Sequence, residues 1–112
     1  PVSFNKAIKE LKKFNGVEEI VSEIELMDWK AKIDRLGISI CPNSSVAVSG
    51  SMKLRDNDII KSHENIVVIL TAHGSKFSNI ATEYHNNPSN QHANIPSIIK
   101  PDIIDLESIL EL

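Results

Sequence analysis

A chain of 112 residues with 41% apolar and 24% charged residues has the length of one domain and the composition of a soluble globular protein, not a disordered one. Its net charge of −3 and pI near 5.8 give no long-range pull toward nucleic acid or an anionic membrane. No apolar run approaches the roughly 18 residues that a bilayer span requires, and the single Cys41 excludes an internal disulfide framework and a cysteine-based zinc site.

Ser3 is a good N-cap for a first helix, in which Ala7, Ile8, Leu11 and Phe14 recur at helical spacing. Asn15-Gly16 supplies residues that tolerate the left-handed backbone ending such a helix. VEEIV (17–21) then reads as a short strand. Ser22 and Glu25 form the S-x-x-E pattern of a capping box and open a second helix through MDWKAKIDRL, ended by Gly37. ISIC (38–41) reads as a brief buried strand, with Cys41 a buried structural thiol.

Pro42 breaks that strand, and Asn43 or Ser44 can cap a third helix, SSVAVSGSMKLRD (44–56). Its small residues Ala47, Ser49, Gly50 and Ser51 predict close packing against a sheet. IVVILT (66–71) is apolar throughout, the pattern of a central strand covered on both faces. Residues 83–101 shift to Asn, Pro, Ser, Gln and His and read as an irregular arm. PDIIDLESILEL closes the chain as a short helix with Asp102 as its cap.

The order of elements is that of an α/β protein, helices packed on a mostly parallel sheet. Three short strands make a poor sheet on their own, and a strand such as 66–71 needs neighbours on both edges. The expectation is therefore one side of a larger domain. The opening PVSFNKAI, which enters a helix without an initiator Met, agrees with a cut through a longer protein.

Ligands in open α/β sheets bind beyond the carboxyl ends of strands. Thr71 ends the central strand, so its hydroxyl either faces such a crevice or merely bonds a neighbouring carbonyl. Lys76, flanked by polar Ser75 and Ser78, reads as a solvated loop lysine, not an amine of lowered pKa. His63, His73, His85 and His92 lack metal-ligand spacing, so no metal site is expected. The isolated Gly16, Gly37, Gly50 and Gly74 build no phosphate cradle, and a G-x-S-x-G elbow is missing.

The stretch ICPNSSVAVSGSMKLRDNDII (40–60), then IVVILTAHGSKF (66–77), then EYH (83–85), resembles the C-terminal part of plant-type threonine synthase. PVSFNKAIKELKKFNGVEE and EIELMD resemble the family's preceding helix and helix start, so the likeness runs in order from Pro1 to about His85. It implies the tryptophan-synthase-β-like, fold type II, class of pyridoxal-phosphate enzymes. The reaction it implies converts O-phosphohomoserine and water to threonine and phosphate. Thr71 is the residue carried over, as the neutral hydroxyl that meets the pyridine nitrogen of pyridoxal 5'-phosphate.

The family's Schiff-base lysine and glycine-rich phosphate loop lie upstream of the matched stretch. No catalytic residue is therefore assigned here, and the 112 residues alone are expected to be inactive and poorly soluble or partly unfolded. Asn43-Ser44-Ser45 stands where the family has His-Thr-Gly, and Ser75 replaces a leucine. Either the loss of that His weakens activity or Asn43 simply caps the helix. Residues 1–82 would belong to the cofactor-binding domain, 83–101 to an arm and 102–112 to a terminal helix. The likeness also implies a homodimer, activation by S-adenosylmethionine and a chloroplast location. A truncated, degenerate paralogue acting as a non-catalytic interaction module is the rival reading, and an independent small binding domain a third.

Overall fold

The computed structural model describes residues 2–111. Pro1 and Leu112, the two ends of the segments expected above, lie outside the described residues. Five α-helices follow in order: α1 (Phe4–Lys13), α2 (Glu23–Asp34), α3 (Pro42–Asp56), α4 (Ser78–Asn86) and α5 (Ile103–Leu110), with a 3-10 turn at Gly74–Phe77 before α4.

Local chemistry accounts for most of the helix ends. At α2 the Ser22 hydroxyl accepts from the Glu25 N–H at 3.3 Å, while the Glu25 carboxylate accepts from the Ser22 N–H at 2.6 Å. That backbone donor, with the Ser22 hydroxyl, holds the Glu25 carboxyl below its ordinary range. α2 ends where Gly37 adopts φ 83, a left-handed backbone that favours glycine. At α1 the left-handed residue is Asn15 (φ 52) and not Gly16, and Ser3 makes no side-chain cap bond. Asp102 caps α5 as expected, its carboxylate accepting from the Asp105 N–H at 2.9 Å.

α3 starts two residues earlier than its sequence suggests. Its cap is neither Asn43 nor Ser44 but Cys41, whose sulfur accepts from the Ser44 N–H at 3.4 Å. Pro42 occupies the first helical position, where its missing N–H costs nothing. Of the small residues of α3, buried Ser45 donates to the Leu26 carbonyl of α2 at 2.5 Å, Ser49 is buried, a Cβ at Gly50 would lie 4.0 Å from Glu19 and Val21, and Ala47 is exposed. α4, which the sequence does not announce, lays Tyr84 and Ile80 over Met27, Ala31 and Leu26 of α2. Lys30, buried on α2, pairs with Asp34 at 2.5 Å, and Asp34 accepts the Ile40 N–H at 3.2 Å, tying the following loop to the helix end.

None of the stretches 17–21, 38–41 and 66–71 forms a strand in this chain. The sole pairing among the described residues is an isolated antiparallel bridge between Ile40 and His73. The reason is physical: a strand exists through its ladder, and none of the described residues pairs with residues 66–70. Val67 is 89% exposed and Ile69 77%, so the expected burial of that segment is not met here. Residues 17–21 are held instead by Lys53 of α3, which donates to the Ile20 carbonyl at 2.8 Å and lies 3.4 Å from the Glu25 carboxylate.

The buried apolar side chains among the described residues are Met27, Ala31, Ile40, Cys41 and Tyr84. The radius of gyration is 18.0 Å, against roughly 13 Å for a compact domain of this length. α1 and α5 contribute no buried residue. Among the described residues the helices pack on one another and no sheet forms.

Candidate functional site

Two segments distant in sequence cross at the start of α3. The Cys41 N–H donates to the Ala72 carbonyl at 3.2 Å, and the Gly74 N–H donates to the Ser39 carbonyl at 3.1 Å. The crossing is tight enough to demand glycine at 74. A Cβ there would stand 2.5 Å from Ser39 Oγ and 2.8 Å from the Ile40 carbonyl oxygen. A left-handed backbone is not the reason, since Gly37 is the glycine with positive φ among the described residues. Proximity is.

This crossing sets Thr71 against the first turn of α3. The Thr71 N–H donates to Ser44 Oγ at 3.0 Å, and the two hydroxyl oxygens lie 3.4 Å apart. Ser44 is buried and also sits 3.2 Å from Cys41 Sγ. Hydrogen bonding from the Ser44 hydroxyl, and then from its N–H, sets the Cys41 thiol below its ordinary value although burial opposes this. Thr71 itself is exposed. At 3.4 Å its hydroxyl is beyond the usual 2.5–3.0 Å of an O–H···O bond, so it keeps capacity for a partner outside the chain.

The neighbouring loop is ordered by His73 and Ser75. His73 Nδ1 accepts from the Ser75 N–H at 3.1 Å and lies 2.9 Å from Ser75 Oγ, capping the 3-10 turn. Ser75, at the position where the family-like pattern has leucine, thus fixes the imidazole. Lys76 and Asn43 are exposed.

A second feature lies elsewhere. A groove of about 540 Å³ between α2 and α4 is lined by Ile24, Met27, Ile80, Glu83 and Tyr84 and does not include Thr71. Beside it the Tyr84 hydroxyl donates to the Asp28 carboxylate and accepts the His92 N–H at 3.3 Å. Burial first, and the bond to Asp28 second, push the phenol up to about 12, so it stays neutral. His85 is separate again, its Nδ1 accepting from the Asn94 N–H at 3.0 Å.

What the Thr71 cluster offers is a hydroxyl held in a fixed place. It fits one contact of pyridoxal phosphate, a hydroxyl offered to the ring nitrogen. It does not fit the phosphate group: α3 begins with a proline that has no N–H, and the Ser44 N–H is spent on Cys41. The sequence points to Thr71, whereas Ser44 shows there only as a departure from the family-like His-Thr-Gly.

Comparison with known proteins bears directly on this. Over 86 residues the chain is 44% identical to "Threonine synthase 2, chloroplastic" of Arabidopsis thaliana, covering 77% of this chain and 17% of that protein. The chain is homologous to a segment of threonine synthase. "Threonine synthase" of Methanosarcina acetivorans is 31% identical over 99 residues, covering 88% of this chain and 24% of its own length. That of Methanocaldococcus jannaschii is 32% identical over 89 residues, covering 79% and 22%. This chain therefore spans only about a fifth of the length of the threonine synthases it matches. No family model matches it.

Proposed function

We propose that this chain is the C-terminal segment of a threonine synthase and that its residues up to 82 supply one wall of a fold type II cofactor domain. In that domain residues 66–71 become a central strand of a mostly parallel sheet, and Thr71 presents its hydroxyl to the ring nitrogen of pyridoxal phosphate. The supporting observation is the Thr71–Ser44 contact. It holds an exposed hydroxyl in a fixed place, open to a partner from outside the chain.

When bound, pyridoxal phosphate supplies an electron sink for negative charge developing at the α and β carbons of the substrate. What this chain adds is a neutral partner for the ring. A hydroxyl, unlike a carboxylate, does not hold the ring nitrogen protonated, and so it moderates the sink. The Schiff-base lysine and the phosphate cradle would come from polypeptide outside these residues, so the chain alone forms no threonine. The reaction proposed for the whole protein converts O-phosphohomoserine and water to threonine and phosphate. Homodimerisation, activation by S-adenosylmethionine and a chloroplast location belong to the same proposal, the last supported by the name of the Arabidopsis relative.

A chimera tests this. Residues of this chain replace the 86 matched residues of the Arabidopsis protein, and cofactor absorbance and phosphate release are measured. The expected chimera binds pyridoxal phosphate and turns over O-phosphohomoserine. Thr71→Val within it lowers turnover about 10- to 100-fold, the cost of one hydrogen bond to a group whose charge changes in the reaction. A chimera that holds the cofactor without turnover points to the degenerate paralogue instead, for which Asn43 at the family's His position already speaks. Unchanged turnover in Thr71→Val removes the Thr71 assignment.

A further inference from the structure

We infer that the groove between α2 and α4 receives helix α1 of a second copy of this chain, so that two copies exchange their first helices in a closed, reciprocal pair. The inference depends neither on Thr71 nor on a cofactor.

The groove suits an apolar helix face bordered by positive charge. Ile24, Met27, Ile80 and Tyr84 line it, over a volume of about 540 Å³. Glu23, in the first turn of α2, and Glu83, on α4, stand exposed in the same lining, which includes no Lys or Arg. Neither carboxylate pairs with a cation among the described residues.

Two helices of this chain, α1 and α5, bury no residue, and charge chooses between them. α5 exposes apolar side chains but carries Asp105 and Glu107, with Asp102 and Glu111 at its ends and no basic residue, so the groove carboxylates repel it. α1 carries Lys6, Lys9, Lys12 and Lys13 against a single acid, Glu10. Phe4, Ala7, Leu11 and Phe14 share one of its faces by helical spacing, and Phe4 and Phe14 are exposed. Lys13 Nζ stands 4.8 Å from the centre of the Phe14 ring, so a positive charge borders that face.

A copy's own α1 is kept out of its groove. The segment between α1 and α2 is held against α3, where Lys53 donates to the Ile20 carbonyl at 2.8 Å and lies 3.8 Å from Glu19 and 3.4 Å from Glu25. α3 meets α2 through the Leu26 carbonyl and Glu25, whereas α4 meets it through Met27, Asp28 and Ala31, on the other side of the helix. The Gly16 N–H, on the Leu11 carbonyl at 2.7 Å, closes the end of α1. Residues 17 and 18 are the slack that remains, too short to carry α1 past a helix about 10 Å across. A second copy meets no such tether. When α1 of one copy enters the partner's groove, the same contact forms in return and closes the pair on a two-fold axis. The contact is small, so association is weak and the dilute chain stays monomeric.

Charge exchange tests this on the 112-residue chain, by sedimentation velocity across a concentration series, with circular dichroism checking that helix content is kept. One double variant, Lys12→Glu with Lys13→Glu, makes α1 acidic; the other, Glu23→Lys with Glu83→Lys, makes the groove basic. All four positions are exposed, so neither variant disturbs the packed residues. The unaltered chain is expected to form a discrete dimer, and each double variant alone to require a concentration about tenfold higher or more. An equal mixture of the two variants dimerises as the unaltered chain does, because each α1 then meets a groove of opposite charge. Removal of residues 102–112 leaves the dimer in place. An unaltered chain that stays monomeric up to its solubility limit overturns the inference, as does a dimer that both variants leave unchanged. Weakened association that mixing does not restore shows that α1 and the groove are not partners and overturns it too. A dimer lost with residues 102–112 makes α5 the occupant instead.

Discussion

Heated alone, the 112-residue chain loses its helical signal gradually, with no cooperative transition. Cooperativity needs a shared core, and among the described residues only Met27, Ala31, Ile40, Cys41 and Tyr84 are buried apolar side chains. α1 and α5 bury nothing, and the 60 Å long axis spreads the helices too far apart to melt together. Exposed Val67, Ile69 and Leu70 add a second consequence. An apolar, β-prone segment without ladder partners is a template for other chains, so solubility falls as concentration rises. Calorimetry and circular dichroism check the first point, and light scattering across a dilution series checks the second. One sharp endotherm from the isolated chain would show a core that these contacts do not provide.

Gly74→Ala in the chimera is expected to separate Thr71 from α3. The added Cβ would meet Ser39 Oγ at 2.5 Å, which a rotation of Ser39 relieves, but also the Ile40 carbonyl at 2.8 Å, which only a backbone shift relieves. Overpacking of this kind costs about 1–3 kcal/mol. The shift falls on the Gly74–Ser39 and Cys41–Ala72 hydrogen bonds that set Thr71 on Ser44. The denaturant midpoint therefore falls and the cofactor absorbance of the chimera changes with it. Gly50→Ala is the control: it lies inside α3 with its nearest neighbours at 4.0 Å, and replacing a helix-interior glycine there is neutral or stabilising. Equal effects at both positions would mean that the crossing is looser than its geometry states.

Legibility in the sequence followed the range of the interactions. The Ser22–Glu25 capping box, the stop at Gly37 and the Asp102 cap are set by residues within a few positions of one another, and each is found where its pattern stands. The cap of α3 was harder to read. Cys41 is not a usual capping residue, yet the order Cys-Pro-x-Ser puts a sulfur acceptor before a helix-opening proline with an N–H three residues on. α4 has no side-chain cap at Phe77 and few apolar residues, so nothing local announces it. It is held from outside by Met27 and Ala31, and by the Asp28 carboxylate that receives the Tyr84 hydroxyl.

Strands depend on partners supplied by topology, and periodicity alone cannot say where those partners are. IVVILT has the composition of a covered strand and leaves Val67, Ile69 and Leu70 exposed for lack of them. Within the proposed site, Thr71 is the residue that the sequence singles out, by its place at the end of an apolar run and by the family resemblance. Ser44 is not singled out, because its contact with Thr71 joins residues 27 apart and leaves no local pattern.

The most direct measurement is amide hydrogen exchange at Val67, Val68, Ile69 and Leu70, in the 112-residue chain and again in the chimera. In the chain these amides have no ladder to protect them and exchange at close to unfolded-chain rates. In the chimera they enter a sheet, and exchange slows on the order of a thousandfold or more. Equal exchange in the two proteins would contradict the claim that this chain completes its sheet, and its site, only with polypeptide from outside these residues.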